Sequence, residues 1–418
     1  MLTRRNLLKR SSLLALAPTV PGFLARLARA VEAKRDDRVL VVVQLDGGND
    51  GINTVVPYRD EGYAKYRRQL RLPDDKLHKL ADDVALHPSM RAMAELFEKQ
   101  RLAVVQGVGY PNPNRSHDVS MAIWHTAAFD RAEHKSYGWL GRALDQSPDM
   151  NGMNSVPQAM LIGDAALPAA LIGRRSIAGT FNRLDELAVQ NEAARASVGQ
   201  AFQPDVPGDG TESRQAGKPD LLPFVSRSAL DAYATADTIT AAVARQRGRA
   251  AYPANELAEH LSLIARLIEA DLPTRVYYAV QRGYDTHAVQ LPTHARLLGE
   301  LSGALAAFLN DLTQASLAER VLVMTFSEFG RRVDENASAG TDHGTAAPMF
   351  LAGGGVNAGL YGQAPPLNDL DGGDLKMTVD FRRVYATVLR NWLSIEPRLV
   401  LDAEFGSLPI LKPSASSS

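Results

Sequence analysis

The sequence predicts a doubly wound α/β fold built around a mostly parallel sheet. Residues 38–45 (RVLVVVQL) form a continuous β-branched run, which is typical of a strand that is buried on both faces. Further strands are predicted at 102–107, 158–162, 275–280, 321–326 and 348–352. Helical patterns lie between these strands, notably at 90–99, 293–315 and 381–393. Strands that alternate with helices favour a parallel sheet with helices on both faces.

The N-terminus has the three regions of a cleavable export signal. Arg4 and Arg5 precede an apolar stretch at 12–27, and small residues follow at 28–30 in an A-x-A arrangement. The apolar stretch contains two prolines, a glycine and Arg26, so it is too short and too broken to span a bilayer stably. Paired arginines predict recognition by the Tat translocase. We therefore expect the signal to be removed and the mature protein to be periplasmic or extracellular; a basic amphipathic helix is the alternative.

The composition limits both the chemistry and the partners of this 418-residue chain. It has no cysteine, which excludes disulfides, a thiolate metal site and a cysteine nucleophile. The predicted signal at 1–30 carries six of the 46 basic residues and none of the 47 acidic ones, which leaves the mature chain near minus seven. This charge disfavours nucleic acid as a partner. No other apolar run is long enough for a membrane helix, so we expect no permanent membrane anchor.

We expect residues 31–411 to form one α/β domain that carries a helical insertion at about 184–272. The segment at 203–220 is rich in Pro, Gly and Asp and predicts an exposed loop. Two long amphipathic helices are predicted within the insertion, at 228–246 and 255–270. The last residues, 412–418, predict a disordered tail.

Carboxylates and histidines follow several predicted strands, where ligands bind in an open parallel sheet. Asp46 and Asp50 follow the first strand. The remaining candidates are Asp285, His287, Glu328, Asp342 and His343. Any one alone is more simply a turn, capping or surface residue. Together, with glycine beside nearly all of them, they supply the oxygen donors, imidazole nitrogens and close backbone approach that a metal site needs. By contrast, His125, His260 and His294 lack this context and are expected to be structural or surface residues.

One hydroxyl lies at a predicted helix start. Ser116 follows the strand at 102–107 and precedes a helical pattern at 119–126, where backbone N–H groups favour an anion. The alternative is that Ser116 or Asp118 is simply the N-cap. Arg115 beside it would either neutralise an oxyanion or be solvated.

These segments resemble the DUF1501 family of exported bacterial proteins, which have a Tat signal and belong to the alkaline phosphatase-like superfamily. The matching segments are VVVQLDGGNDGINTVVPY, NRSHD, GYDTH, TFSEFGRR and GTDHGTAAPMFLAGGGV, spread over about 41–355. The resemblance implies a doubly wound sheet, a nucleophile at a helix start, and two metals held by Asp, His and sometimes Glu. Members of the superfamily hydrolyse or transfer phosphate and sulfate esters.

The resemblance also implies roles for individual residues. Asp46 matches the first-strand carboxylate that holds one metal, and Ser116 stands at the position of the nucleophile. Glu328 occupies the place where many members have an Asp-His pair. The residues that resemble the ligands of the other metal are Asp285, His287 and His343.

The sequence departs from the superfamily pattern near the second metal. Phe329 follows Glu328 where a histidine is expected. A second metal would then have oxygen ligands only, from Asp46 and Glu328 with Asp50 as a further candidate, which favours Mg, Mn or Ca over Zn there. The context of Ser116 does not fit a formylglycine sulfatase, which disfavours that class.

We expect a metal-dependent hydrolase of phosphate or related anionic esters that uses one or two divalent metals, with Zn, Mn, Mg and Ca as candidates. The metal would activate Ser116 or a water. Arg115 would contact the non-bridging oxygens, and His117 would protonate the leaving group. The alternative is an exported binding or assembly protein that keeps the fold and one metal. A dinucleotide-binding oxidoreductase is disfavoured, because 46–51 places acid where pyrophosphate would lie and lacks G-x-G-x-x-G.

Overall fold

The described part of the chain is organised around one large sheet. The structure is a computed structural model that describes residues 38–129, 137–146, 157–176, 178–181, 243 and 248–412. Its strands are β1 (Val39–Asp46), β2 (Val55–Val56), β3 (His78–Lys79), β4 (Ala85–Leu86), β5 (Leu102–Gly109), β6 (Ala159–Ile162), β7 (Ala178–Phe181), β8 (Val276–Arg282), β9 (Val321–Phe326), β10 (Ala347–Gly353), β11 (Gly359–Tyr361), β12 (Leu370–Asp371), β13 (Asp374–Leu375) and β14 (Val379–Asp380).

The α-helices of the same residues lie mainly between the strands of this sheet. They are α1 (Gly51–Thr54), α2 (Glu61–Tyr66), α3 (Arg91–Glu98), α4 (His117–Thr126), α5 (Trp139–Leu144), α6 (Glu256–Glu269), α7 (Gln290–Gln314), α8 (Phe381–Thr387) and α9 (Arg398–Leu401). Short 3-10 helices occur at Asp74–Lys76, Pro88–Met90, Ala169–Leu171 and Ala318–Arg320, and a π-helix at Val388–Trp392.

The strand order brings the ends of distant segments to one edge. The order is β11-β5-β10-β9-β1-β8-β6-β7, and β14 also pairs with β5. In this sheet β10 runs antiparallel to β5 and β9, and the other pairings are parallel. Val41 in the central strand is in register with Tyr277 of β8 and with Val323 of β9. The carboxyl ends of β1, β5, β8 and β9 therefore lie at one edge, and β10 begins at that same edge.

The hydrophobic core lies on both faces of the sheet. Successive residues of a strand point to opposite faces. In β1, Val41 and Val43 join one cluster of buried residues, whereas Leu40 and Val42 join the other. Helices α3, α6 and α7 contribute to the first cluster, and α4, α5 and α8 to the second. A mostly parallel sheet with helices on both faces is a doubly wound α/β fold, so the predicted fold class is confirmed.

The two long helices begin at residues that suit a helix start. The side chain of Asn255 caps α6 by accepting a hydrogen bond from the backbone N–H of Ala258 at 2.9 Å. Pro292 lies in the first turn of α7, where a backbone N–H would have no partner within the helix. The two helices pack against each other.

The predicted elements agree with the structure at most positions. The six predicted strands correspond to β1, β5, β6, β8, β9 and β10, with bounds that differ by at most two residues. The helices predicted at 90–99, 255–270 and 293–315 are α3, α6 and α7. The helix predicted at 381–393 is divided, because α8 ends at Thr387 and a π-helix follows. The sequence does not predict the short strands β2, β3, β4, β7 and β11 to β14.

Several predictions lie outside the described residues. They are the signal at 1–30, the loop at 203–220, most of the helix at 228–246, and the tail beyond Lys412. Val243 is the exception within that helix, and it is helical and buried. None of the helices formed by the described residues has the length and apolar character that are required to cross a membrane.

Candidate metal centre

Polar side chains from five segments meet at the carboxyl edge of the sheet. Asp46 is the last residue of β1, and Glu328 lies two residues beyond the end of β9. The loop after β8, the segment before β10 and the start of α4 supply the remaining groups, Asp285, His287, His343 and His117. Because β10 is antiparallel, its beginning reaches the same edge as the ends of its neighbours.

Asp285 lies at the centre of a cluster of three histidine rings. Its Oδ1 is 3.0 Å from Nε2 of His287 and 3.1 Å from Nε2 of His343. The same oxygen is 3.7 Å from Nε2 of His117. The two Nε2 atoms of His287 and His343 are 2.9 Å apart. The Asp285 oxygen and the ring nitrogens of His117 and His343 lie within 4.8 Å of one another, close enough to share one cation, and His287 contacts two members of this group.

Asp285 is held in its ionised form. Partial burial raises the pKa of this carboxyl, but hydrogen bonds from Arg331 and His343 outweigh burial and lower the pKa from 3.8 to about 2. The carboxylate is still half-exposed. A negative charge thus remains available at the centre of the cluster across the physiological range.

Two of the rings are held from behind by oxygen atoms. Nδ1 of His343 lies 2.8 Å from the backbone oxygen of Arg115. Nδ1 of His287 lies 3.5 Å from Oδ1 of Asp342, which also accepts a hydrogen bond from Asn336. Histidines that bind a metal usually have their other ring nitrogen held in this way. The structure thus places Asp342, a predicted ligand, behind His287, where it orients the ring.

Glu328 is buried and already has several partners. Its Oε1 accepts a hydrogen bond from the backbone N–H of Gly47 at 2.9 Å and lies 2.8 Å from Nδ1 of His117. Its Oε2 accepts a hydrogen bond from the hydroxyl of Ser327 at 3.2 Å. The hydrogen bond with Glu328 raises the pKa of His117. Burial, followed by the charge of Glu328, raises the pKa of the half-buried Asp46, so these two carboxylates repel each other.

Asp50 lies in a separate, fully buried contact. Its Oδ1 accepts a hydrogen bond from Nη2 of Arg67 at 3.0 Å, and its Oδ2 accepts from Nη1 of Arg67 and from Nε2 of Gln290. Burial raises the pKa of Asp50, but the guanidinium outweighs burial and lowers it. Both oxygens are thus engaged by other side chains. This placement argues against the prediction that Asp50 binds a metal.

Ser116 stands at the N-cap position of α4. Its backbone N–H donates to Oδ1 of Asn114 at 2.8 Å, but among the described residues its hydroxyl makes no capping hydrogen bond. The side chain is exposed, and Ser116 directly precedes His117 in the chain. Arg115 points its guanidinium at Asp374, with which it forms an ion pair, while its backbone oxygen faces His343. The hydroxyl is therefore free for chemistry, whereas the guanidinium of Arg115 is engaged.

Arg331 is a central residue of the site that the sequence did not reveal. Its side chain is fully buried. Nη2 donates to Oδ1 of Asp285 at 2.7 Å. The guanidinium also donates to backbone oxygens on three loops, those of Gly47, Gly48, Tyr284 and Thr341. It thereby joins the loops that follow β1 and β8 to the segment that precedes His343. The motif TFSEFGRR contains this residue, but no pattern separates a buried arginine from a solvated one.

Gly47 shows why the first loop is rich in glycine. It has a φ of +116°, which residues with a side chain rarely adopt. A Cβ atom at this position would lie 2.5 Å from the backbone nitrogen of Asp285. The absence of a side chain lets the loops after β1 and β8 touch directly, which brings Asp285 to the edge where Asp46 ends.

The three histidines expected to be structural lie outside the cluster. His294 is buried, with Nε2 2.9 Å from Oδ1 of Asn49. His125 is buried beside Gln44 and Tyr278, at 3.2 Å from each. His260 is buried in α6. Burial lowers the pKa of His294 and of His125 to about 4, so both rings are neutral near pH 7.

The family comparison covers nearly all of the described residues. A family model described as protein of unknown function (DUF1501) matches residues 37–403. This match confirms the resemblance found in the sequence. No curated protein matches the chain.

Solved structures give distant likenesses. The lipoteichoic acid synthase LtaP from Listeria monocytogenes is 10% identical with a TM-score of 0.35, over 82% of this chain and 74% of that one. The PsFucS1 sulfatase from Pseudoalteromonas sp. is 11% identical with a TM-score of 0.39, over 91% and 72%. The phosphonate monoester hydrolase SpPMH from Silicibacter pomeroyi is 11% identical with a TM-score of 0.36, over 91% and 78%.

Proposed function

The chain belongs to the DUF1501 family, and we propose that it is a metal-dependent hydrolase of phosphate or related anionic esters. The observation that carries this proposal is the convergence of Asp285, His287 and His343 on one point. These residues come from two segments that are distant in the sequence. Such convergence of a charged oxygen with imidazole nitrogens is what a metal-dependent active site requires.

The donor set fits a divalent metal ion. Imidazole nitrogens with a carboxylate oxygen are ligands that Zn²⁺ takes in catalytic sites, and the same donors also suit Mn²⁺. The Nε2 atoms of His287 and His343 lie 2.9 Å apart beside the ionised Asp285, which concentrates electron pairs that a cation would stabilise. A bound metal ion would polarise the ester and offset the negative charge that develops during cleavage.

We assign the nucleophile to Ser116. Its exposed hydroxyl lies at the start of α4, where free backbone N–H groups stabilise an anionic group. Attack would form a bond between Oγ and phosphorus and release the alcohol, and water would then hydrolyse the phosphoserine. The serine proton passes to solvent, and solvent protonates the leaving alkoxide to give the alcohol. Arg115 supports this arrangement through its backbone oxygen, because that oxygen holds His343 while the guanidinium is paired with Asp374.

The test is an assay of the mature chain, from residue 31, on phosphomonoesters and phosphodiesters. The protein would be stripped of metal and reloaded with Zn²⁺, Mn²⁺, Mg²⁺ or Ca²⁺. We expect turnover that depends on at least one of these ions and that falls at least 100-fold in Asp285→Asn. Asp118→Asn, at an exposed acid in the first turn of α4, is the matched control and should keep full activity. Absence of turnover with all four ions would reject the hydrolase.

The same experiment separates the proposal from a second function. A chain that binds a metal tightly and turns over no ester would instead be a metal-binding or assembly protein with this fold. The engagement of Glu328 with Gly47 and His117 favours this alternative, because it reduces the groups available for a second catalytic metal.

We also propose that the protein reaches the periplasm or the exterior through the Tat translocase. The support is the Arg4-Arg5 pair followed by the broken apolar stretch and the small residues at 28–30. Replacing both arginines by lysine should leave the uncleaved precursor in the cytoplasm. Cell fractionation and the N-terminal sequence of the exported form measure this, and unchanged export of the double variant would contradict it.

A further inference from the structure

We propose that His117 is a fourth ligand of the metal, that Glu328 orients it, and that the centre holds one metal ion. This inference rests on the metal site of the proposed function but does not require hydrolysis. It replaces two expectations from the sequence: His117 as the acid for the leaving group, and Glu328 as a ligand of a second metal.

The position of His117 carries the first step. Its Nε2 faces the same oxygen of Asp285 as the other two rings, at 3.7 Å. Its ring centroid is 4.4 Å from that of His343. Ligand atoms around a tetrahedral Zn²⁺ with bonds of about 2.0–2.1 Å lie roughly 3.3 Å from one another. The separations from Asp285 Oδ1, 3.0, 3.1 and 3.7 Å, bracket that value.

The second step concerns the protons of the three rings. In each ring Nδ1 faces an oxygen atom, on Glu328 for His117, on Arg115 for His343 and on Asp342 for His287. With a metal ion bound, each Nδ1 would carry the hydrogen, because these oxygens accept rather than donate. Each ring would then present its Nε2 lone pair to the ion. This tautomer is the one that a metal ligand needs, and the oxygen atoms behind all three rings suit it.

The contacts of Glu328 carry the third step. Its carboxylate is 1% exposed and accepts from Gly47 and Ser327 while facing Nδ1 of His117. A carboxylate behind a histidine fixes the direction of the ring and raises its basicity as a ligand. With Glu328 committed to this role and Asp50 paired with Arg67, Asp46 is the one predicted oxygen ligand of a second ion that remains among the described residues. A single carboxylate is too few protein ligands for a stable second centre.

The charge of such a centre suits an anionic ester. One carboxylate, three neutral imidazoles and one divalent cation give a net charge of plus one. Four protein ligands leave room for a fifth, because Zn²⁺ expands to five-coordinate geometry during catalysis. Ser116, the proposed nucleophile, directly precedes His117 in the chain at the start of α4.

The experiment measures binding rather than activity. Metal-free mature protein would be titrated with Co²⁺, followed by its visible absorption, and metal content would be determined by mass spectrometry. We expect one ion per chain and the intense bands of four-coordinate Co²⁺. His117→Ala should weaken binding at least 100-fold and change the spectrum, and Glu328→Gln should weaken it about 10- to 100-fold. His78→Ala, at a half-buried histidine that contacts Pro88, is the matched control and should change neither.

The outcomes separate this inference from the proposed function. Two ions per chain, or unchanged affinity and spectrum in His117→Ala, would overturn the inference even if hydrolysis is found. Absence of hydrolysis with one tightly bound ion would overturn only the hydrolase. If His117→Ala does not fold, X-ray absorption of the Zn²⁺-loaded wild type still decides, since three imidazoles support the inference and two reject it.

Discussion

The fully buried guanidinium of Arg331 donates a hydrogen bond to the half-exposed carboxylate of Asp285 at 2.7 Å. The same guanidinium donates to backbone oxygens in the loops after β1 and β8 and in the segment that precedes His343. One side chain thus fixes the position of the cluster's central acid and of the loops around it. The integrity of the centre and the stability of the fold are therefore linked through this residue.

Replacing Arg331 with methionine should lower both stability and metal affinity. The change removes five hydrogen bonds and leaves several backbone oxygens without their partner. We expect the free energy of unfolding to fall by about 3–5 kcal/mol, as for other broken buried networks. Chemical denaturation with and without metal measures this. The neighbouring, more exposed Arg332→Met is the control and should cost less than about 1 kcal/mol; equal losses at both positions would contradict the prediction.

Asp50→Ala should destabilise the fold and leave metal binding intact. Arg67 would lose the partner of its buried charge, which typically costs about 3–5 kcal/mol. The double variant Asp50→Leu with Arg67→Met removes both charges and should recover part of that loss. Metal content of the folded fraction should stay at the wild-type level. A metal content of the folded fraction well below the wild-type level would restore Asp50 as a ligand.

Stability should fall in mild acid partly because of His294. Burial lowers the pKa of this ring from 6.5 to about 4 in the folded protein, so unfolding lets it take up a proton between these values. The contribution is fully present above pH 6.5 and is lost as the pH falls towards 4, by about 3 kcal/mol in all. His294→Gln should flatten the fall in unfolding free energy over this range, whereas His78→Gln should not. An unchanged slope in His294→Gln would show that other groups control acid unfolding.

Ser116→Ala should abolish ester hydrolysis without weakening the fold. The hydroxyl is exposed and makes no capping bond among the described residues, so we expect a change in stability within about 0.5 kcal/mol. Metal affinity should be unchanged, because the serine is not among the proposed ligands. Turnover should fall at least 1,000-fold if the serine is the nucleophile, as it does when other catalytic nucleophiles are removed. Substantial remaining turnover would assign the attack to water instead.

The sheet could be predicted because its strands are buried on both faces. Residues 39–43 are all apolar, and this continuous apolar run identifies the segment as a strand in the interior of the sheet. The edge strand β7 is less buried, and its residues AGTF carry no such pattern. The division of the helix at 381–393 into α8 and a π-helix depends on backbone hydrogen bonds that the periodicity does not encode.

The sequence predicts at which strand ends the candidate site lies, but it does not predict which side chains are available to bind a metal. The rule that ligands bind beyond the carboxyl ends of strands identified Asp46, Asp285 and Glu328 together. It does not reveal which acids already have partners within the protein. Asp50 is engaged by Arg67 and Glu328 by Gly47, and both pairings depend on how separate loops cross. The contact between His117 and Glu328 likewise joins residues that are distant in sequence.

The reversed direction of β10 has a consequence for the timing of assembly. Its antiparallel course lets the segment that enters this strand, rather than the one that leaves it, deliver His343 to the shared edge. His343 is translated long after His117. A nascent chain that ends before His343 therefore has only part of the proposed ligand set. Tight metal binding would then begin only when synthesis of the sheet is nearly finished. Bound metal would thus mark a late stage of folding.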